Sequence, residues 1–229
     1  IVKANAKPIF ADIDIDTLQI STQELKKKIT KKTRAVLIPN LIGNIPNWTE
    51  VKKIINNHSN IIIIEDSADT LGAKIGKKST GSFSDISITS FYGSHVISCG
   101  GNGGLLLLDN KKFYEKAKIL RSWGRMSSVL KDSENIKKRL GIKLKGIEYD
   151  RKFIFSENGY NFEPSEIGAA FGLEQLKKFK NFTIKRNQNF KLHKIFFSKF
   201  KNFFISPKIL KNVKTNFLAY PIILKPNKY

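Results

Sequence analysis

Four isoleucines in a row, Ile61 to Ile64, run directly into Glu65 and Asp66, and this stretch constrains the chain more than any other. Four consecutive β-branched residues suit a strand buried on both faces, as in a parallel sheet. The strand stays apolar up to its carboxyl end, where it carries two carboxylates. In open α/β sheets, ligands bind outside the carboxyl ends of the strands. Six residues thus predict both a sheet type and the edge of that sheet where chemistry belongs.

The neighbouring sequence supplies the rest of the sheet. Thr33 to Pro39 reads as a second buried strand, Ile86 to Phe91 as a third and Gly103 to Leu108 as a fourth. Lys7 to Asp14 reads as a short strand running into an acidic loop. Ser21 and Glu24 fit a capping box for a helix to about Ile29. Trp48 to Asn56 has helical periodicity, and Gly76 to Gly81 suits a hairpin connection. Strands and helices alternating at this spacing imply an α/β fold with a doubly wound, mostly parallel sheet. After a helix from Lys111 to Ser122, residues 126–148 are polar and read as an irregular excursion. Pro164 precedes an amphipathic helix, Ser165 to Phe179, and a basic helix follows from Lys185 into Phe197. Phe217 to Leu224 reads as one strand of a further domain, with Pro221 arguing for an edge position. Residues 1–184 are therefore assigned to a large domain, and 185–229 to a linking helix and the start of a small one.

Asp66, Asp69, Ser90 and His95 all fall at carboxyl ends of these strands. On residue pattern alone, Asp66 is as well read as a turn or cap aspartate as a ligand group. A hydroxyl such as that of Ser90 can donate to a phosphate oxygen. Gly100 to Gly104 lets backbone pass close to a ligand, but it is neither a Walker nor a dinucleotide glycine signature. Cys99, the single cysteine, excludes an intramolecular disulfide framework and fits a reducing cytoplasm; it reads as a small packed residue. No metal site is expected. No apolar run approaches the roughly 20 residues of a membrane span. The net charge of +22 raises a nucleic-acid reading. Against it, the charge is lysine-dominated and spread along the chain, arginine is the better bidentate phosphate reader, and no aromatic-basic RNA pattern is present. Positive potential of this kind also attracts an anionic nucleotide-sugar or a cofactor phosphate.

Glu65-Asp66-x-x-Asp69-x-Leu71-Gly72, then Gly81-Ser82-Phe83-Ser84-Asp85-Ile86, then Ser90-Phe91-Tyr92-x-x-His95, together resemble the DegT/DnrJ/EryC1/StrS family of pyridoxal-phosphate enzymes acting on nucleotide-linked sugars. The resemblance implies a fold-type-I, aspartate-aminotransferase-like large domain. It implies that Asp66 pairs with the pyridine nitrogen of pyridoxal 5′-phosphate, keeping it protonated. Asp69 would lie near the ring hydroxyl and Ser90 on the phosphate. Asn161, in Gly159-Tyr160-Asn161, would reach the phosphate of a neighbouring subunit, giving a homodimer with a shared active site. Most members have Lys where this chain has His95. A smaller branch, the 3-dehydratases of NDP-4-keto-6-deoxyhexoses, has His there and Asp at position 69.

Imidazole cannot link covalently to the cofactor as lysine does, but it can act as a base, its ordinary pKa of about 6.5 being close to working pH. The branch resemblance therefore implies a cofactor held as pyridoxamine 5′-phosphate, with His95 removing a proton from its C4′ carbon and the sugar losing its C3 hydroxyl. That is dehydration in deoxysugar biosynthesis for surface polysaccharide. The alternative is a family protein with altered or lost catalysis. Arg121 to Ser128 resembles a segment that in some dehydratases continues into cysteines holding a [2Fe-2S] cluster. Such a cluster needs thiolates; Met126, Ser127 and Ser128 stand here and no cysteine follows, so no cluster is expected. Set beside the family, the chain is expected to be a fragment, without an N-terminal piece carrying a phosphate cradle and a stacking aromatic, and without most of the small domain.

Overall fold

The computed structural model describes residues 1–226. In chain order the regular elements are β1 (Ile13–Asp14), β2 (Gln19–Ile20), α1 (Thr22–Lys28), β3 (Ala35–Pro39), α2 (Trp48–Asn56), β4 (Ile62–Asp66), β5 (Lys74–Ile75), β6 (Lys78–Ser79), β7 (Ile86–Ser90) and β8 (Gly104–Leu108). They continue with α3 (Lys111–Arg121), α4 (Ile136–Arg139), β9 (Ile142–Leu144), β10 (Ile147–Tyr149), α5 (Glu166–Ser198), β11 (Phe204–Ile205), β12 (Val213–Lys214) and β13 (Ile223–Leu224). Two compact units result, one of residues 1–107 with 167–229 and the other of residues 108–166.

The first unit is built on a four-stranded sheet ordered β3-β4-β7-β8. β3 and β4 run parallel with Ile38 opposite Glu65, and β4 and β7 run parallel with Glu65 opposite Ser87. Side chains alternate across a strand, so Val36 and Ile38 of β3 and Ile63 of β4 share one face. Leu25 of α1 and Trp48, Val51, Ile54 and Ile55 of α2 cover that face and close the core. The isoleucine run is therefore buried on one face, where Ile63 lies; Ile62 and Ile64 on the other are half-buried. The expectation of burial on both faces is corrected in that respect, because α1 and α2 pack on a single side.

Local signals fared unevenly. Asn47 caps α2 by accepting from the Glu50 N–H at 3.2 Å. Ser21 sits at the start of α1 but its side chain makes no cap bond, and Glu24 pairs with Lys27 instead, so the predicted capping box does not form. The early strand is confined to Ile13–Asp14, paired with Gln19–Ile20. The two helices expected at 165–179 and 185–197 are one continuous helix of 33 residues. Residues 180–184, Lys-Asn-Phe-Thr-Ile, hold neither Gly nor Pro, so nothing stops the first helix. The expected strand at 217–224 shrinks to Ile223–Leu224, paired with Phe204–Ile205. Its earlier part is diverted: the Leu218 N–H donates to the Ile42 carbonyl at 3.1 Å and the Leu218 carbonyl accepts from Arg186 Nη1 at 3.1 Å.

Gly43 lies under that diverted segment with φ +83, a backbone conformation that disfavours side chains. A Cβ there would sit 2.7 Å from the Leu218 nitrogen and 2.8 Å from the Phe217 Cα. Gly43→Ala is expected to cost at least about 2 kcal/mol, from the left-handed backbone plus a collision with main chain that cannot rotate away. A urea unfolding curve checks this; an unshifted midpoint would refute it.

In the second unit, Asn110 caps α3 by accepting from the Lys112 and Phe113 N–H groups. The segment expected to be irregular holds a 3-10 turn at Met126–Val129, the short helix α4 and the β9–β10 hairpin. Lys145 and Gly146 both have positive φ at the hairpin tip, the requirement of a type I′ two-residue turn. The sequence reading passed over that Lys-Gly signal.

Candidate active site

The carboxyl ends of β3 and β4 and the loop that leads into β7 meet in a buried polar network that continues the core's alternation. Positions 36 and 38 are apolar and 40 is Asn; position 63 is apolar, 65 is Glu and 67 is Ser; all six lie on the covered face or its extension. Glu65 is fully buried, at 0% exposure. One of its oxygens accepts from Asn40 Nδ2 and Ser67 Oγ, each at 2.8 Å, and the other from the Gly81 N–H at 2.9 Å and Ser84 Oγ at 3.2 Å. Asn40 in turn accepts from Trp48 Nε1 at 3.1 Å. The sequence reading missed this network. The signal was present, since the strand parity that buries Ile63 also buries Glu65.

Asp66 follows on the opposite face of β4. One carboxylate oxygen accepts from the Ala68 N–H at 3.1 Å, an Asx-type turn. Its main-chain carbonyl accepts from the Asn40 N–H at 2.8 Å. Asp69, three residues on, is held on one side by the Ile42 N–H, which donates to Oδ2 at 2.8 Å. Its other oxygen faces His95, with Oδ1 3.6 Å from Nε2. That is an ion-pair separation and too long for a hydrogen bond. The opposite ring nitrogen, Nδ1, is shielded from water and has no hydrogen-bond partner among the described residues. Tyr92 packs edge-on to the His95 ring, with centroids 6.1 Å apart.

Ser90 ends β7. Its Oγ accepts from the Tyr92 N–H at 3.2 Å, so the hydroxyl hydrogen stays free to donate. Asn161 belongs to the second compact unit, where it forms an isolated β-bridge with Ser122. The structure thus joins Asp69 to His95 directly and sets Asp66 and Ser90 at the ends of adjacent strands, while Asn161 is described only within its own unit. Cys99 packs against α5: a Cβ on Gly172 would collide with its sulfur, and burial pushes its thiol pKa up, which suits packing and not reactivity.

Beside His95 opens a cleft of about 530 Å³. Its wall includes Arg186, Asn189, Phe190 and His193 of α5 and Phe217 and Tyr220 beyond it. Phe190 and Phe217 stack with centroids 3.6 Å apart. Burial lowers the Arg186 guanidinium pKa and raises that of the Tyr220 phenol. No motif in the sequence marked this wall, because its members are scattered over helix and loop.

The sequence profile of the DegT/DnrJ/EryC1/StrS aminotransferase family matches residues 1–228. The chain belongs to that family. Among curated members, it is 34% identical to the GDP-4-keto-6-deoxy-D-mannose 3-dehydratase of Escherichia coli O55:H7, over 84% of this chain and 47% of that protein. It is 31% identical to the lipopolysaccharide biosynthesis protein RfbH of Salmonella typhimurium, over 95% of this chain and 50% of that protein. The solved structure of the E. coli GDP-4-keto-6-deoxy-D-mannose-3-dehydratase with bound hydrated PLP superposes with a TM-score of 0.78 at 31% identity, covering 96% of this chain and 54% of that one. The mixed, mostly parallel sheet is therefore the aminotransferase fold of the DegT/DnrJ/EryC1/StrS family. The chain spans about half the length of the curated relatives it matches. Among the described residues, no helix is long and apolar enough to cross a membrane.

Proposed function

We propose that this DegT/DnrJ/EryC1/StrS protein takes part in the PLP/PMP-dependent dehydration, at C3, of a nucleotide-linked 4-keto-6-deoxyhexose, in deoxysugar formation for surface polysaccharide. The observation that carries the reading is the His95 imidazole, with Asp69 3.6 Å from Nε2 and with Nδ1 buried and unpartnered, where lysine would stand in an aminotransferase of the family. Relatives at 30–34% identity named as 3-dehydratases of GDP- and dTDP-linked keto sugars support it, as do 3-dehydratase structures holding hydrated PLP and a PLP-glutamate adduct.

The donor set fits this cofactor. Asp66 offers a carboxylate to a pyridinium nitrogen, and opposite charge there favours the protonated ring. Ser90 offers a hydroxyl hydrogen to a phosphate oxygen. When bound, pyridoxamine phosphate supplies an amine for the keto carbon and a ring that takes up electrons. His95 holds and moves the proton at the cofactor's C4′, and Asp69 orients the ring and balances the charge it gains. A substrate's apolar and anionic parts would meet the aromatic and cationic wall of the adjoining cleft.

The same proposal includes a homodimer in which Asn161 serves the neighbouring site. Apolar residues exposed in its unit, Phe153 at 68% and Phe162 at 67%, support a covered surface there. It also includes a large domain to residue 184, joined through α5 to a small one, and work in the cytoplasm, which suits a lone free thiol.

The test incubates the chain with pyridoxamine phosphate and a GDP-linked 4-keto-6-deoxyhexose and follows the sugar by mass spectrometry, alongside His95→Lys. Loss of the C3 hydroxyl with the native chain and not with the variant is expected. Amination at C4 by the native chain, or cofactor binding with neither reaction, would overturn the proposal. Asp69→Asn keeps an acceptor for the Ile42 N–H but removes the charge facing His95. It is expected to slow dehydration about tenfold with thermal stability nearly unchanged; equal rates would show that the Asp69 charge is idle.

A further inference from the structure

We propose that Glu65 is a positioning residue of this site, fixing from behind the sheet the strand ends that carry Asp66, Asp69 and Ser90. The inference rests on the cofactor reading above. Strand alternation sends Glu65 and Asp66 to opposite faces of β4, so Glu65 touches neither cofactor nor substrate and acts through the main chain.

Its four donors come from Asn40, Ser67, Gly81 and Ser84: the exit of β3, the exit of β4 and the loop that leads into β7. Each segment is tied onward. The Asn40 N–H donates to the Asp66 carbonyl at 2.8 Å. The Ser67 N–H donates to the Ile88 carbonyl at 2.8 Å, and Thr89 Oγ1 donates to the Ser67 carbonyl at 3.3 Å, next to Ser90. The Thr70 N–H donates to the Ser67 carbonyl at 3.1 Å, closing the turn that holds Asp69. One carboxylate thus gathers three chain segments; Asp66 and Asp69 belong to one of them, and Ser90 follows Thr89, which is bonded to that same segment.

Stability alone gives little reason for a carboxylate here. A fully buried acid is costly even when hydrogen-bonded, and a buried polar set replaced as a whole by apolar packing of similar volume is often no less stable. What the carboxylate provides is four acceptor directions in fixed geometry. An interior amide cannot match them, since half of its polar end donates.

The test is Glu65→Gln in the whole chain, with Val51→Ala as a variant of the same core that lies outside the network. Glu65→Gln is expected to weaken pyridoxamine phosphate binding about tenfold and to shift the His95 ring signals in the NMR spectrum, identified by their loss in His95→Asn. Val51→Ala is expected to lower stability while leaving both readouts in place. If Glu65→Gln binds as the native chain does and its His95 signals do not move, or if Val51→Ala disturbs both equally, the positioning role is overturned. Should Glu65→Gln not fold, Ser84→Ala removes a single donor and should move the same signals less; unmoved signals refute the proposal. Should the native chain not bind pyridoxamine phosphate, the cofactor reading fails, and the His95 signals of the cofactor-free chain still decide the role of Glu65.

Discussion

Replacing His95 by Asn is expected to lower C3 dehydration by about 10²- to 10⁴-fold, the usual contribution of a positioned acid-base group. Asparagine fills similar space but neither accepts nor releases a proton at neutral pH. Cofactor binding should persist, because the groups proposed to hold pyridoxamine phosphate, Asp66 and Ser90, keep their own partners: the Ala68 N–H for the first and the Tyr92 N–H for the second. The measurement pairs initial rates of C3 hydroxyl loss with an independent cofactor titration. A variant that binds and does not turn over supports His95 as the base. A variant that turns over at the native rate removes His95 from the chemistry, and the buried, unpartnered Nδ1 would then need another explanation.

Trp48→Ala is expected to cost about 3–5 kcal/mol, the range for emptying a large aromatic site in a core. Trp48 is 0% exposed and stacks on Phe83 with ring centroids 6.3 Å apart and planes 8° from parallel. Its indole N–H also donates to Asn40 Oδ1, so truncation leaves that buried acceptor unmatched, a loss of about 1–3 kcal/mol that overlaps the packing term. Trp48→Phe separates the two effects by retaining a ring and removing the donor, and should show only the smaller loss. Denaturant unfolding of both variants checks the ranking; equal losses would assign the whole effect to the hydrogen bond.

The sheet was legible because its strands obey local rules. Ile61 to Ile64 and Thr33 to Pro39 are short apolar runs bounded by turn residues, and α2 has a periodic apolar stripe. The placement of Asp66 at a strand end and of His95 just beyond one was legible for another reason: both follow apolar strand runs, and the spacing from Glu65 to His95 resembles one family. What escaped depends on contacts distant in sequence. Asn40 and Glu65, 25 residues apart, gain meaning only when β3 and β4 pair in register. The strand expected at 217–224 was lost because the main-chain groups of Leu218 are taken by Ile42 and Arg186, a competition that no local propensity reveals. The break expected within α5 was a misjudged period, since the sequence there lacks any stop residue.

Ile42 and Gly43 stand side by side in the left-handed region, at φ 60 and φ 83, yet their freedom to vary under mutational drift is opposite. The strain at Ile42 comes from its own branched side chain, while its N–H and carbonyl serve Asp69 and Leu218 through the main chain. Exchange for Gly or Asn would keep both bonds and relieve the strain, so the position is open to substitution. The three atoms nearest to a Cβ on Gly43 all belong to the main chain of Phe217 and Leu218, and any side chain would push that segment away. Of two adjacent codons in one tight turn, one can wander and the other is pinned.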